Sequence, residues 1–222
     1  MMPFAGGMTE TTNGSLILSV AAALLYLLMV QQPPSWRRTV AKTGSIVLLG
    51  VVSYSAGGPM LLTLALLASA SGDAALAAEE ERWFLPGLVA FLIAHLLYVA
   101  LFAIGSEGIG LLWDEPWRSV WALLILLAAR SLLVPLLRAV PAAMRLPIVF
   151  YTLAIVAMGV MALTLPGHAV AIGATLFIAS DAILAIRKYL LPETSPHAAW
   201  TGYGVWVLYY AAQLAITLAI VA

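Results

Sequence analysis

The pattern of apolar and polar positions divides the chain into long apolar runs separated by short segments rich in proline, glycine and charge. A helix needs about 20 largely apolar residues to cross a bilayer. By that rule the sequence predicts eight membrane spans, at residues 15–30, 40–55, 60–78, 84–105, 119–137, 147–165, 168–186 and 199–221. Because the connections are short, we expect neighbouring helices to be antiparallel. The predicted fold is all-α: an eight-transmembrane-helix bundle that forms one membrane domain over residues 15–222, after a short tail at 1–14.

Composition agrees with this fold class and narrows the chemistry. Hydrophobic residues make up 64% of the chain and charged residues only 9%, against about 25% charged in a soluble domain. The formal net charge is zero, so nothing predicts a nucleic-acid partner. The chain has no cysteine, which excludes disulfides, thiolate catalysis and Cys-ligated metals. Residues 1–13 have no Lys or Arg, so we expect the first span to be an uncleaved helix.

The basic residues predict the orientation of the bundle. Eight of them follow the first, third, fifth and seventh spans: Arg37, Arg38, Lys42, Arg82, Arg138, Arg145, Arg187 and Lys188. The opposite side has only Arg118. Basic residues accumulate on the cytoplasmic side of a membrane, so both termini are predicted to be extracytoplasmic. The richness in Ala and Leu suggests a bacterial inner membrane.

Two aspartates lie within apolar spans, and no other acidic residue does. Each costs about 2.5–3.5 kcal/mol near the centre of a membrane helix. Asp73 lies six residues before Glu79, and Asp181 lies six residues before Arg187. At 1.5 Å per residue, each carboxyl is thus predicted about 9 Å below the cytoplasmic boundary. We expect a shared site, with one acid protonated, the other ionised and the carboxyls roughly 5–10 Å apart.

Other polar residues within the spans leave more than one interpretation open. Arg130, inside the fifth span, is either a structural counter-ion or a ligand for an anionic head group. His95 shares a helix face with Phe91, Tyr98 and Phe102, so it is either a packing residue or a substrate contact. On the last span, Gln213 is expected to face the bundle interior. It belongs to a stripe formed with Tyr203, Trp206, Tyr210 and Thr217. A zinc site is not predicted from three scattered histidines, and neither a metal nor another cofactor is expected.

Four motifs in this order resemble those of the YhhN-type membrane proteins, which include the lysoplasmalogenases. They are Gly72-Asp73-x-x-Leu76, Phe84-x-x-Gly87-Leu88-x-x-Phe91-x-x-Ala94-His95-x-x-Tyr98, Gly173-Ala174-x-Leu176-Phe177-x-x-Ser180-Asp181 and Tyr209-Tyr210-x-x-Gln213. Lys42 is similar to the family's lysine in the second helix, although Thr43 stands where a proline usually follows. With Lys42, the resemblance extends over residues 42–217.

The resemblance implies an eight-helix hydrolase whose paired aspartates, Asp73 and Asp181, cleave the vinyl ether bond of lysoplasmalogens. The products are a fatty aldehyde and a glycerophospho-choline or -ethanolamine. The substrate is then a lysophospholipid within membrane lipid, and the residues expected to bind it are Lys42, His95, Tyr98, Arg130, Tyr210 and Gln213. Two other functions use intramembrane acids. One is a proton-coupled transporter, and the other is an intramembrane aspartic protease. Ser71-Gly72-Asp73 partly matches the Gly-x-Gly-Asp motif of such proteases.

The predicted orientation can be tested by reporter fusions at Ala222. A reporter that is active only outside the cytoplasm should be active there, because the charge asymmetry places the C-terminus on that side. A cytoplasmic readout would mean that a span has been miscounted or that the bundle is inverted.

Overall fold

The structure is a computed structural model that describes residues 3–5, 7, 10–78, 80–192 and 194–222. Glu79, which marked the predicted end of the third span, lies outside the described residues. The same is true of Glu193, in the last connection, and of residues 1, 2, 6, 8 and 9 in the predicted tail.

The described residues form nine α-helices and no strand, which confirms the all-α prediction. The helices are α1 (Thr11–Met29), α2 (Trp36–Ser55), α3 (Met60–Ala77), α4 (Glu81–Gly105), α5 (Leu111–Asp114), α6 (Pro116–Ala139), α7 (Ala142–Ala162), α8 (Ala169–Tyr189) and α9 (Ala198–Val221). Each predicted span overlaps one of the eight long helices. The single turn α5, in the connection before α6, was not predicted.

Seven of these helices are long and apolar enough to cross a membrane, so this is an integral membrane protein. The exception among the long helices is α2. Its 20 residues include Arg37, Arg38 and Lys42, which lower its hydropathy. The prediction placed Arg37 and Arg38 in a loop, but they lie in the first turn of α2, because Ser35 caps this helix by accepting a hydrogen bond from the Arg38 backbone N–H. Whether α2 is an eighth span stays a prediction, and so does the side of the membrane on which the termini lie.

The chain forms two compact units, residues 1–101 with 213–222, and residues 102–212. In the first unit, α1, α2 and α3 pack side by side and are joined by polar contacts that the sequence pattern did not predict. The Ser19 hydroxyl of α1 donates to the backbone carbonyl of Ser45 in α2, at 2.6 Å. The Thr63 hydroxyl of α3 donates to the Ser53 hydroxyl of α2, at 3.0 Å. Such interhelical hydrogen bonds stabilise helix packing in a membrane.

Two glycines allow α3 and α4 to approach closely. A Cβ added at Gly72 would lie 2.6 Å from the ring of Phe91, and one added at Gly87 would lie 2.7 Å from the Leu76 side chain. The two contacts run in opposite directions along the two helices, so α3 and α4 are antiparallel, as predicted. Small residues at such crossings let helix backbones come together.

In the second unit, α6, α7 and α8 pack around a small apolar core. Ile125, Leu163 and Ala171 are buried together there. Gly159 of α7 is a point of close approach to α8, since a Cβ at that position would lie 2.6 Å from Ile178. This packing sets the position of α8, the helix that carries Asp181.

Arg118 forms the main polar connection of the second unit. Although it was the single basic residue on the predicted extracytoplasmic side, its side chain is only 1% exposed. The guanidinium donates to the backbone carbonyls of Leu163 and Leu165, each at 2.8 Å, and of Gly167 at 3.2 Å. It also pairs with the carboxylate of Glu115 at 3.0 Å. Arg118 therefore donates to a carbonyl at the C-terminal end of α7 and to two carbonyls of the connection between α7 and α8.

We expect Arg118→Lys to destabilise the folded protein by about 2–4 kcal/mol, because one ammonium cannot serve the acceptors that the guanidinium fork reaches. The melting temperature in detergent should then fall by about 5–15 °C. Arg145→Lys is the matched control, since Arg145 is exposed in the first turns of α7. Equal melting temperatures for the two variants would show that the Arg118 contacts contribute nothing to stability.

Glu115 gives this connection a dependence on pH. The hydrogen bonds from Arg118, and then from Trp117, lower the pKa of Glu115 below its ordinary value. The stabilisation is therefore complete above the ordinary carboxyl pKa of about 4.3 and is lost as the pH falls further, through the lowered value. A Glu115→Gln variant should show a smaller loss of stability between neutral and strongly acidic pH than the parent protein does.

Candidate active site

An ion pair holds the first of the two membrane aspartates. Asp73 lies on α3, is 1% exposed, and its Oδ1 is 2.9 Å from the Nζ of Lys42 on α2. A buried carboxylate paired with an ammonium avoids most of the cost of an isolated charge. Lys42, which was predicted to bind substrate, is thus already engaged with Asp73.

A second cation stands one helical turn before Lys42. Arg38 is buried, and the ring of Tyr26 on α1 lies 5.8 Å from its guanidinium carbon and 5.9 Å from the Lys42 nitrogen. Arg38 and Lys42 are four residues apart and therefore share one face of α2. The helix face that meets Asp73 consequently carries two positive charges, where the sequence reasoning had placed one.

The second aspartate is held by a tyrosine in the second unit. The hydroxyl of Tyr151 on α7 donates a hydrogen bond to the Oδ2 of Asp181 on α8, and both side chains are half-buried. The residue before Asp181 is also fixed, because the Ser180 hydroxyl donates to the Val205 carbonyl of α9 at 2.9 Å. These two bonds set the rotation of α8 and the orientation of its carboxyl group.

Three more predicted residues lie together in the first unit. His95 and Tyr98 are fully buried on one face of α4, with Phe91 and Phe102, as the spacing predicted. The Tyr98 hydroxyl donates to the Oε1 of Gln213 on α9. The predicted inward orientation of Gln213 is confirmed, and its partner is identified. Whether any of the three contacts substrate stays a prediction.

The remaining two predicted residues, Arg130 and Tyr210, lie in the second unit. Arg130 is exposed on α6, and no described carboxylate of its unit pairs with it, so the structure gives no support to a counter-ion role there. Tyr210 is half-buried on α9 and stacks on Trp206, at 5.8 Å between ring centroids.

The predicted acid pair is divided between the units, with Asp73 in the first and Asp181 in the second. The sequence predicted that both aspartates lie at the same distance from a helix end. In the structure Asp73 lies four residues before the end of α3, and Asp181 lies eight residues before the end of α8. The last turn of α8 carries Arg187 and Lys188, so it extends past an apolar boundary. The shared site stays a prediction.

Sequence reasoning missed two residues, Tyr151 and Arg38. Tyr151 belongs to an apolar span, where an aromatic residue is ordinary, and only the packing of α7 on α8 brings it to Asp181. For Arg38 a signal existed. It precedes Lys42 by four residues, which in a helix means one shared face. The assignment of residues 31–39 to a loop concealed it. In the part of the chain that the structure describes, no cluster of three or more His, Asp or Glu residues could hold a metal ion.

Comparisons with known proteins agree with the residues described above. The chain is 38% identical over 188 residues to the human protein named lysoplasmalogenase TMEM86B, a match that covers 83% of this chain and 75% of the human protein. It is 36% identical over 175 residues to the pig (Sus scrofa) protein of the same name, covering 79% and 70% respectively. Both relatives are mammalian, so they give no support to the expected bacterial inner membrane. No solved structure matches the chain.

The YhhN family matches residues 37–220, from the first turn of α2 almost to the end of α9. This range contains both membrane aspartates, their partners Lys42 and Tyr151, and the Tyr98–Gln213 pair. On this match and on the identity to the mammalian relatives, the chain belongs to the YhhN family.

Proposed function

We propose that this protein is a lysoplasmalogenase, an intramembrane hydrolase that cleaves the vinyl ether bond of lysoplasmalogens. The observation that carries the proposal is the 38% identity to a protein named lysoplasmalogenase over 83% of this chain. Two aspartates within apolar helices, each held by a polar partner, are the chemical support.

The reaction needs a proton donor and a base. Protonation of the vinyl β-carbon converts the ether into an oxocarbenium ion. Water adds to the carbon next to the oxygen and loses a proton to a base, which gives a hemiacetal. The hemiacetal then loses its hydroxyl proton, and its bond to the glycerol oxygen breaks as that oxygen takes up a proton. The products are a fatty aldehyde and the glycerophospho-alcohol, and the overall change is the addition of one water. Two carboxyl groups serve a similar cation in glycoside hydrolysis.

Within this proposal, Asp73 is the acid that stays ionised. The Lys42 ammonium is 2.9 Å from its Oδ1 and stabilises the carboxylate form. An ionised Asp73 accepts the proton of the attacking water, and its negative charge stabilises the oxocarbenium ion.

Asp181 then supplies the proton to carbon. Tyr151 holds the carboxyl group through its Oδ2, and the Ser180–Val205 bond fixes the rotation of α8 beside it. Tyr151 is a positioning residue in this scheme, because it acts on the reaction through Asp181. Joint action of the two aspartates on one bond is inferred from the sequence and from the demands of the chemistry.

The phosphate of the lipid head group requires a cationic partner in the protein. The alcohol expected on that phosphate is choline or ethanolamine. Lys42 and Arg130 were the residues predicted to bind it. The contacts of the first unit favour Arg38 together with Lys42, since both lie on the face of α2 that meets Asp73. His95, Tyr98, Tyr210 and Gln213 are proposed to contact the substrates of the reaction, which are the lipid and the attacking water. The bundle proposed here has eight spans, with α2 as the eighth and both termini outside the cytoplasm.

The roles of the two aspartates can be separated by pH–rate profiles of Asp73→Asn and Asp181→Asn in detergent, with fatty aldehyde release as the measurement. Each variant should lose on the order of 100-fold or more in kcat, the usual scale for general acid–base catalysis. The pH–rate profile of the parent protein should be bell-shaped. Asp73→Asn should remove its acidic limb, which reports a base that must be ionised. Asp181→Asn should remove the alkaline limb.

The double variant should lose little beyond the worse single variant, because residues that act as a unit are not additive. If Asp73→Asn instead removed the alkaline limb and Asp181→Asn the acidic limb, the assigned roles of the two aspartates would be reversed. Near wild-type aldehyde release from either folded variant would leave that aspartate a structural role.

Tyr151→Phe tests the positioning role with the loss of one oxygen atom. Asp181 becomes negatively charged as its proton leaves, and a hydrogen bond to a charged group contributes about 1.5–3 kcal/mol. The bond is therefore stronger in the transition state than before reaction, and we expect kcat to fall by about 10-fold or more while KM changes little. The pH limb assigned to Asp181 should also shift, whereas a purely structural role would leave both limbs in place. Tyr54→Phe, at an exposed tyrosine of α2, is the matched control.

A further inference from the structure

The buried polar side chains of the first unit fall into two groups. Some make their hydrogen bonds within the protein, as Ser19 and Thr63 do. A second group has buried polar atoms with no hydrogen-bond partner among the described residues: Ser69 Oγ, Gln213 Nε2 and Thr217 Oγ1. All three residues are 0% exposed. An unmet buried polar group costs about 1–3 kcal/mol, so such groups call for water or a ligand.

The helix registers place this second group along one line. On α3, Ser69 is one turn from Asp73, and on α9, Thr217 is one turn from Gln213. The contacts of Gly72 with Phe91 and of Gly87 with Leu76 fix the antiparallel register of α3 and α4. By that register His95 lies at the level of Ser69, and Tyr98 lies about one turn further from Asp73.

The same line continues along α9. Gln213 is at the level of Tyr98, because the two are hydrogen-bonded. The far end of α9 is fixed as well, since a Cβ on Gly58, just before α3, would lie 2.6 Å from Val221. Thr217 therefore lies about one turn beyond Gln213, near the start of α3. From Asp73 to the level of Thr217, the line of polar groups runs alongside roughly twelve residues of α3, or about 18 Å at 1.5 Å per residue.

We propose that this line is a file of ordered water molecules that reaches Asp73 from inside the first unit. Its polar lining is Asp73, Ser69, His95, Tyr98, Gln213 and Thr217. Donors and acceptors recur about every turn, and a buried water needs two to four polar partners. An alkenyl chain would leave these same atoms unmet, so the line is unsuited to the apolar part of a lipid.

The file has a consequence for catalysis, which rests on the proposed function. Asp73 lies near the Ala77 end of α3 and meets the face of α2 that carries Arg38 and Lys42. A phospholipid whose phosphate binds these cations covers Asp73 from that end. Water for the second step then arrives from the opposite direction, through the file, while the lipid is bound.

The first test is thermal stability without substrate. Thr217→Val and Ser69→Ala each remove one of the unmet hydroxyls. If water bonds to these groups, both variants should melt lower than the parent, by about 1–4 °C. Thr63→Val is the control, because its hydroxyl has a described partner in Ser53 and its loss lowers the melting temperature in either case. An increase for Thr217→Val and Ser69→Ala would mean that the sites are dry, and would overturn the proposal.

The second test detects the water itself by X-ray hydroxyl-radical footprinting of the full chain in detergent. Radicals form from water beside the labelled ring. Tyr98 is 0% exposed, so bulk solvent should leave it as unreactive as Phe177, which is equally buried on α8. With the file in place, Tyr98 should be modified several times faster than Phe177, after correction for the intrinsic reactivity of the two rings. Equal, low rates would overturn the file.

Neither readout uses lysoplasmalogen, so the two proposals fail separately. Aldehyde release by a protein with dry Ser69 and Thr217 sites would leave the hydrolase and remove the file. A hydrated file in a protein that releases no aldehyde would keep the file and remove the proposed function.

Discussion

The cost of a charge in an apolar helix is the constraint on which the rest of the structure depends. Three of the charged side chains on the helices are each matched by specific partners. Asp73 meets Lys42 on the neighbouring helix, Asp181 accepts from Tyr151, and Arg118 is surrounded by carbonyls and Glu115. These contacts also fix helix rotation, because an unpaired buried charge is far more costly than a poorly packed methyl group. The functional groups and the packing of α2, α3, α7 and α8 are therefore set together.

The sequence predicted the eight long helices well, because runs of apolar residues bounded by proline and glycine are local signals. The errors lie at helix ends that carry charge. Trp36, Arg37 and Arg38 were placed in a loop, but Ser35 caps a helix that contains them. The short helix α5 was missed, since one turn of helix leaves no periodicity to detect.

The candidate site could be predicted only as far as single residues carry information. An aspartate in an apolar run is visible by itself, and so Asp73 and Asp181 were found. Their partners are a matter of packing between helices. Tyr151 is 30 residues from Asp181, and Gln213 is 115 residues from Tyr98. No local pattern marks such pairs. Lys42 was found for another reason than the one the structure gives, since its described contact is with Asp73 rather than with a lipid.

The close contact of Gly72 with the ring of Phe91 bears on how natural variants of such a protein should be interpreted. Gly72 has no functional group, and it precedes an aspartate that has one. A side chain at position 72 would push α4 away and displace the neighbouring carboxyl. A genetic screen would then score the variant as a loss of catalysis, although the altered residue performs no chemistry. Gly72 and Asp73 are therefore under one joint constraint, because the first residue provides the space that the second requires.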